Sequence, residues 1–337
     1  MNELKTKTVL QRRLTNFVNW IKPDTDERDL IKDRADNIRK NVIKNAEEDG
    51  IIVVSTPAAG SFASHTGLRR HYRGESEVDG QDIDLPFIIE PETVEGEELN
   101  ELLRRFEEYI NVTYSDTEKK KTKSSIKLMF SDNINFDIIP MLFNADEEQI
   151  IIRSNGDEIK TSVQKHVRFI KTRNSISSRE DGRVKLNQCI RLLKWWKEFQ
   201  AGNSFYFRDD PPPSFLISLL AAKAFDKLSV SESYAETLAR WFGYLAHLIK
   251  SKELILFYDF NEPQNRSADT WCVIDPVNES NNITKDWNQG KINELAEWFE
   301  IGRDIWNRVI HFDEDEDDSK SLDLLVQLFG NPFKNHC

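Results

Sequence analysis

Apolar residues spaced four, three and four apart (Ile31, Ala35, Ile38 and Val42) draw one face of a helix over Asp26–Glu48. The period then changes. Ile51–Ser55 (IIVVS) is a continuous apolar run of strand length, ended by Pro57 and the small residues Ala58, Ala59 and Gly60, and it predicts a buried strand. Strand patterns recur at Asp82–Ile89 (DIDLPFII), Ser124–Phe130 and Ile134–Leu142, with a helix predicted over Gly96–Val112. A hairpin follows, from Gln149–Arg153 to the segment around Ile159, turning at Asn155-Gly156-Asp157. Beyond about residue 160 helical spacing takes over, at roughly 161–175, 184–200, 214–228, 233–250, 289–310 and 319–329. Short extended pieces at Leu254–Tyr258 and Trp271–Pro276 interrupt these helices. Leu186, Cys189, Leu193 and Trp196 form a stripe on the second of them, the pattern of a core helix.

The pattern therefore predicts an α+β protein of two lobes, a mixed sheet covered by helices over 1–160 and a helical lobe over 161–337. A cleft between two such lobes is a common position for a ligand. A chain of 337 residues, 39% apolar and 10% aromatic, can bury cores of that size. No apolar run is long enough for a membrane span, and the first residues carry charges where a signal peptide would be apolar, so the expected location is cytoplasmic. Cys189, Cys272 and Cys337 are scattered, as are the six histidines, which argues against zinc and against a disulfide framework. The net charge of −12 argues against tight binding along a nucleic-acid duplex, which rests on phosphate neutralisation. The acidic run Asp313–Asp318 supplies half of that excess and reads as a solvated loop. Basic residues gather at Lys119, Lys120, Lys121 and Lys123 and at Arg69, Arg70 and Arg73, either as mobile surface or as phosphate attraction near a site.

Asp82 and Asp84, two apart on a strand, share one face while Ile83 and Leu85 pack behind. Asp137 lies on another predicted strand among Phe136, Ile138 and Ile139, a setting in which a carboxylate is normally paired or coordinating. Three acids on adjacent strands could hold two Mg²⁺ ions. Upstream, Gly60-Ser61 opens a short helix directly after a strand, where glycine lets backbone approach a phosphate.

In the order strand, Gly-Ser, helix, acid-x-acid strand and distant third acid, the first half resembles the DNA polymerase β-like nucleotidyltransferases. The second half narrows the resemblance through Lys194 on the long helix and Ser214-Phe215 after Pro211-Pro212-Pro213. Together they are similar to the cGAS, oligoadenylate synthetase and bacterial cGAS/DncV-like (CD-NTase) branch over roughly residues 26–300. The resemblance implies a bilobal fold with a mixed-sheet palm lobe and a helical lobe completing a nucleotide cleft. It implies catalytic, metal-holding Asp82, Asp84 and Asp137, with Gly60, Ser61, Lys194 and Ser214 on the triphosphate and Phe215 stacked on a base. The implied cofactor is two Mg²⁺ ions, with Mn²⁺ able to substitute. The implied activity joins NTPs such as ATP into a cyclic di- or trinucleotide for antiphage signalling of the CBASS type, with accessory proteins of that system as partners. A linear nucleotidyltransferase would share every metal ligand, and a catalytically silent nucleotide-binding scaffold would share the fold. Asp275 and Asn282 fit turn positions equally well.

Overall fold

The computed structural model describes residues 8–69, 71–73, 76–78, 82–95, 99–132, 134–145, 147–153, 157–179, 182–262, 270–315 and 317–337. The turn residues 155 and 156, and Arg70, lie outside them. The backbone sorts into two compact units. One comprises residues 23–69 and 79–169, the other 1–22, 70–78 and 170–337, so the units interleave along the chain.

The sheet-containing unit opens with α2 (Thr25–Glu48), whose Asp24 side chain accepts from the Glu27 N–H as N-cap. Its stripe of Ile31, Ala35, Ile38, Val42 and Ala46 is buried. The strands are β1 (Val53–Ser55), β4 (Asp82–Ile89), β5 (Glu118–Lys121), β6 (Ile126–Met129), β7 (Asn135–Phe143), β8 (Gln149–Ile152) and β9 (Glu158–Thr161). They form one mixed sheet in the order β1-β4-β7-β6-β5, with β8 on the far half of β7 and β9 beside it. Among the described strands of this sheet, only β4 and β7 pair in parallel. The amphipathic helix α4 (Leu99–Thr113) supplies the crossover that parallel pairing requires. Leu102, Leu103, Phe106 and Ile110 of α4 join Ile83, Leu85, Phe87, Phe136 and Ile138 in one core. β1 departs from the expected buried strand. Ile51 is buried, but Ile52 and Val54 are exposed, because β1 is an edge strand with a register shift. The lysine run at 119–121 is strand β5. Lys119 gives its ammonium to the carbonyls of Tyr114, Ser115 and Thr117, so it ties a turn rather than waiting for a phosphate.

The helical unit begins with α1 (Val9–Trp20), capped by Thr8, a helix the spacing analysis does not predict. Its Phe17 meets the Trp195 ring edge-on at 5.4 Å and Phe333 at 4.8 Å. The unit also holds a short hairpin of β2 (His71–Arg73) and β3 (Ser76–Val78). Helices α6 (Leu186–Ala201), α7 (Ser214–Leu228), α8 (Tyr234–Lys250), α9 (Gln289–Glu314) and α10 (Asp318–Phe329) form the bulk, and α5 (Val163–Ser177) leads in from the other unit. Leu186, Cys189, Leu193 and Trp196 are fully buried, as the stripe predicts. Trp196 packs edge-on against Phe242 at 4.7 Å and at a tilt against Phe299 at 4.9 Å. Arg173 ties α7 to the loop at Asp259 by forks to both Asp226 and Asp259, with contacts of 2.7 to 2.9 Å.

One expectation is corrected here. The acidic run is a loop only in part: Asp313 and Glu314 end α9, Asp318 opens α10, and Asp317 caps α10 by accepting from the Lys320 N–H, while residue 316 lies outside the described residues. The extended pieces at 254–258 and 271–276 meet in an isolated bridge of Ile255 with Val273, and Ile274 bridges Asn282. Asp275 binds the N–H groups of Val277 and Asn278 and the Asn281 amide, the work of a turn residue.

Candidate active site

The register of β4 on β7 puts Asp84 directly opposite Asp137, and Asp82 opposite Asn135. Alternation along each strand sends Ile83, Leu85, Phe136 and Ile138 into the core, and so places the three acids together on the other face. Antiparallel β6 then sets Lys127 opposite Asp137, and β5 sets Lys120 opposite Lys127. A row of charge crosses four strands in the order Lys120, Lys127, Asp137, Asp84.

Asp137 is more enclosed than Asp82, its side chain 15% exposed against 48%. Burial pushes its carboxyl above the usual aspartate range, and the neighbouring Asp82 charge adds to this, while Lys127 and a Ser125 hydrogen bond act the other way. The Ser125 hydroxyl donates to Asp137 Oδ1 at 3.0 Å. Lys127 Nζ lies 2.7 Å from Asp82 Oδ2 and 3.9 Å from Asp137 Oδ2.

The turn that resembles a phosphate loop is tied to the same acids. Gly60 has φ +60°, a left-handed conformation that L side chains rarely adopt. A Cβ there would lie 1.8 Å from Asp84 Oδ2. Ser64 Oγ donates to the Gly60 carbonyl at 2.9 Å and the Thr66 N–H reaches the Ser61 carbonyl at 2.9 Å, which fix the turn from behind. Gly60-Ser61 thus stands against Asp84 because only glycine leaves room for that carboxylate. Arg69 is partly buried nearby in sequence, and Arg73 falls on β2 in the other unit.

The acids suit a hard divalent cation by chemistry, since all their donors are carboxylate oxygens. A cation already lies on two of them, in the form of the Lys127 ammonium. As the side chains stand, no three His, Cys, Asp or Glu residues among the described ones are close enough to hold an ion.

The remaining sequence-predicted residues belong to the helical unit. Ser214 opens α7 with Pro213, not itself, at the cap position, and Phe215 is partly buried. Lys194 is only 4% exposed, deeper than the border position its spacing predicts. Lys197, one turn on, lies 3.4 Å from the Ser214 hydroxyl and is ion-paired with Glu198. Sequence reading missed Lys197, Ser125 and Lys127. Lys127 carried a legible signal, a charge between the apolar Ile126 and Leu128 on a strand.

Two outcomes follow from this geometry. Gly60→Ala is expected to lower kcat about 100-fold by displacing Asp84 and to cost about 1–2 kcal/mol of stability through its left-handed backbone, as steady-state rates and urea midpoints would show. Asp137→Asn is expected to abolish turnover yet raise Tm at neutral pH. Because the folded pKa is raised, the ionised form is penalised in the fold, fully so above that pKa and not at all below the ordinary aspartate range. The gain in Tm should therefore shrink as the pH falls through that range, which a pH series of melts would test.

No described helix is long and apolar enough to cross a membrane. The chain is 25% identical over 331 residues to the CBASS oligonucleotide cyclase CdnC of Escherichia coli strain KTE188, covering 94% of each chain. It is 28% identical over 193 residues to a cyclic AMP-AMP-AMP synthase of E. coli strain MS 115-1, covering 55% of this chain and 56% of that one. Its fold is similar to solved structures of E. coli MS115-1 CdnC, with ATP and in complex with HORMA-deltaN. Each gives a TM-score of 0.76 at 22% identity and covers 97% of this chain, with 99% and 98% of those chains covered in turn. Half of the chain, residues 9–177, matches the family model described as the Second Messenger Oligonucleotide or Dinucleotide Synthetase domain. With the acids in register on β4 and β7, that match places the chain in this family of bacterial cGAS/DncV-like nucleotidyltransferases.

Proposed function

We propose that the protein condenses NTPs, ATP among them, into a cyclic di- or trinucleotide second messenger for CBASS-type antiphage signalling. The observation that carries this reading is Asp84 facing Asp137 across the parallel pair, with Gly60 held against Asp84. Asp82, Asp84 and Asp137 would hold two Mg²⁺ ions, or Mn²⁺ in their place. When bound, the ions supply charge for the developing pentavalent phosphate and the leaving pyrophosphate. In the reaction a ribose hydroxyl oxygen bonds to the α-phosphorus of an NTP as the bond from that phosphorus to pyrophosphate breaks. Asp137 takes the hydroxyl proton on Oδ2, its Oδ1 being held by Ser125. The backbone of Gly60-Ser61 orients the triphosphate beside Asp84.

On the helical unit, family resemblance assigns Lys194 and Ser214 to the triphosphate and Phe215 to the base. Contact with Ser214 adds Lys197 to that set. HORMA-type proteins, one of which is bound to a structurally similar CdnC, are the accessory class to try first.

Incubation of the purified protein with the four NTPs and Mg²⁺ should yield a phosphatase-resistant product with the mass of a cyclic oligonucleotide. A product that forms only when RNA or protein acceptor is added, or none in any metal, would overturn the reading. Lys197→Met with Glu198→Gln, which leaves no buried charge unpaired, is expected to lower kcat/KM by about 10–150-fold, the worth of one charge-assisted hydrogen bond. Lys194→Met measured alongside shows whether Lys194 contributes as well.

A further inference from the structure

The acids on β4 and β7 come with a cation built into the sheet. Lys127 is pinned at the middle of the sheet because its neighbours Ile126 and Leu128 are both fully buried. Alternation then leaves its side chain only the acid face. There the ammonium joins Asp82 at 2.7 Å and Asp137 at 3.9 Å, two carboxylates from two different strands. A lone structural ion pair would need one partner. Spanning two acids on adjacent strands answers a different requirement, because neighbouring like charges disfavour one another's ionised form. The lysine side chain is 21% exposed, and its stem is long and flexible, so the head can leave without disturbing the strand.

We infer that Lys127 is the site's resident counter-ion: it offsets part of the charge of Asp82 and Asp137 in the metal-free enzyme and must be displaced before a divalent cation can load. This rests on the reading of those acids as metal ligands. Lys127 is a positioning residue in this account, acting through the carboxylates. Its displacement sets the metal concentration at which the enzyme becomes competent. Lys120, opposite Lys127 on β5, is exposed and keeps the flank of the row positive when the Lys127 head moves.

The test is Mn²⁺ binding to the nucleotide-free, full-length protein, followed by the loss of the free-ion paramagnetic resonance signal. Lys127→Met removes the competitor and is expected to tighten Mn²⁺ by about 1.5- to 5-fold, the range of an exposed-to-half-buried ion pair. Lys127→Arg, which keeps the charge and adds a fork matched to carboxylates, is expected to weaken it. In EDTA, Lys127→Met should melt below the wild type and gain more from added Mn²⁺. Lys127→Gln serves as a second neutral variant should the methionine fail to fold. Equal or weaker Mn²⁺ binding by the neutral variants, with binding still abolished by Asp84→Asn, would overturn the counter-ion and leave the metal ligands standing. No Mn²⁺ binding by the wild type, or binding indifferent to Asp84→Asn, would overturn both.

Discussion

The parallel register of β4 on β7 is the constraint on which the site depends. A shift of one residue would exchange the faces of a strand, burying Asp84 in place of Leu85 and turning Ile83 to the solvent side. The core forbids that, since Ile83, Leu85, Phe87, Phe136 and Ile138 fill the space against α2 and α4. The hydrophobic effect therefore sets the position of the acids, and electrostatics acts on what it has placed. Bringing Asp82 and Asp137 onto one face costs the fold charge repulsion and desolvation, visible in the raised carboxyl of Asp137. Ser125 and Lys127 offset part of this from the next strand.

The helical unit follows a different rule. Its interior is aromatic, with Trp195, Trp196, Trp241 and Trp306 all buried, and large rings leave few alternative packings. Several of the polar groups inside it are matched by specific partners. The Trp195 indole N–H donates to the Phe329 carbonyl at 3.0 Å, Arg173 takes two carboxylates, and Lys197 takes Glu198. A rigid frame of this kind suits side chains that must meet a nucleotide without rearrangement.

Much of this was legible because it obeys short periods. DIDLPFII is a strand at the residues where its alternation puts it, and the α6 stripe of Leu186, Cys189, Leu193 and Trp196 is buried as its spacing demands. The α+β class, the family and the facing of the acids could be read from such local rules joined to a motif order. What escaped depends on partners far away in sequence. The helix at Val9–Trp20 owes its burial to Trp195, Phe329 and Phe333, which no local window contains. The contact of Lys197 with Ser214 depends on how α6 and α7 pack, which spacing on α6 alone does not show. IIVVS is as apolar as a central strand but lies at an edge, a distinction made by strand order rather than composition.

The interleaving of the two units bears on how the chain is made. Residues 23–169, apart from the β2–β3 hairpin, build a unit whose core is complete once β9 and the start of α5 have emerged, so it can fold during synthesis. The amphipathic α1 is made before the sheet-containing unit and yet belongs to the unit finished later. Its contact with Phe329 must wait roughly 300 residues, about 15–60 s at ordinary elongation rates. Until α6 brings Trp195, Leu10, Leu14, Phe17 and Val18 lack that native cover, which makes α1 a segment for a nascent-chain chaperone to hold.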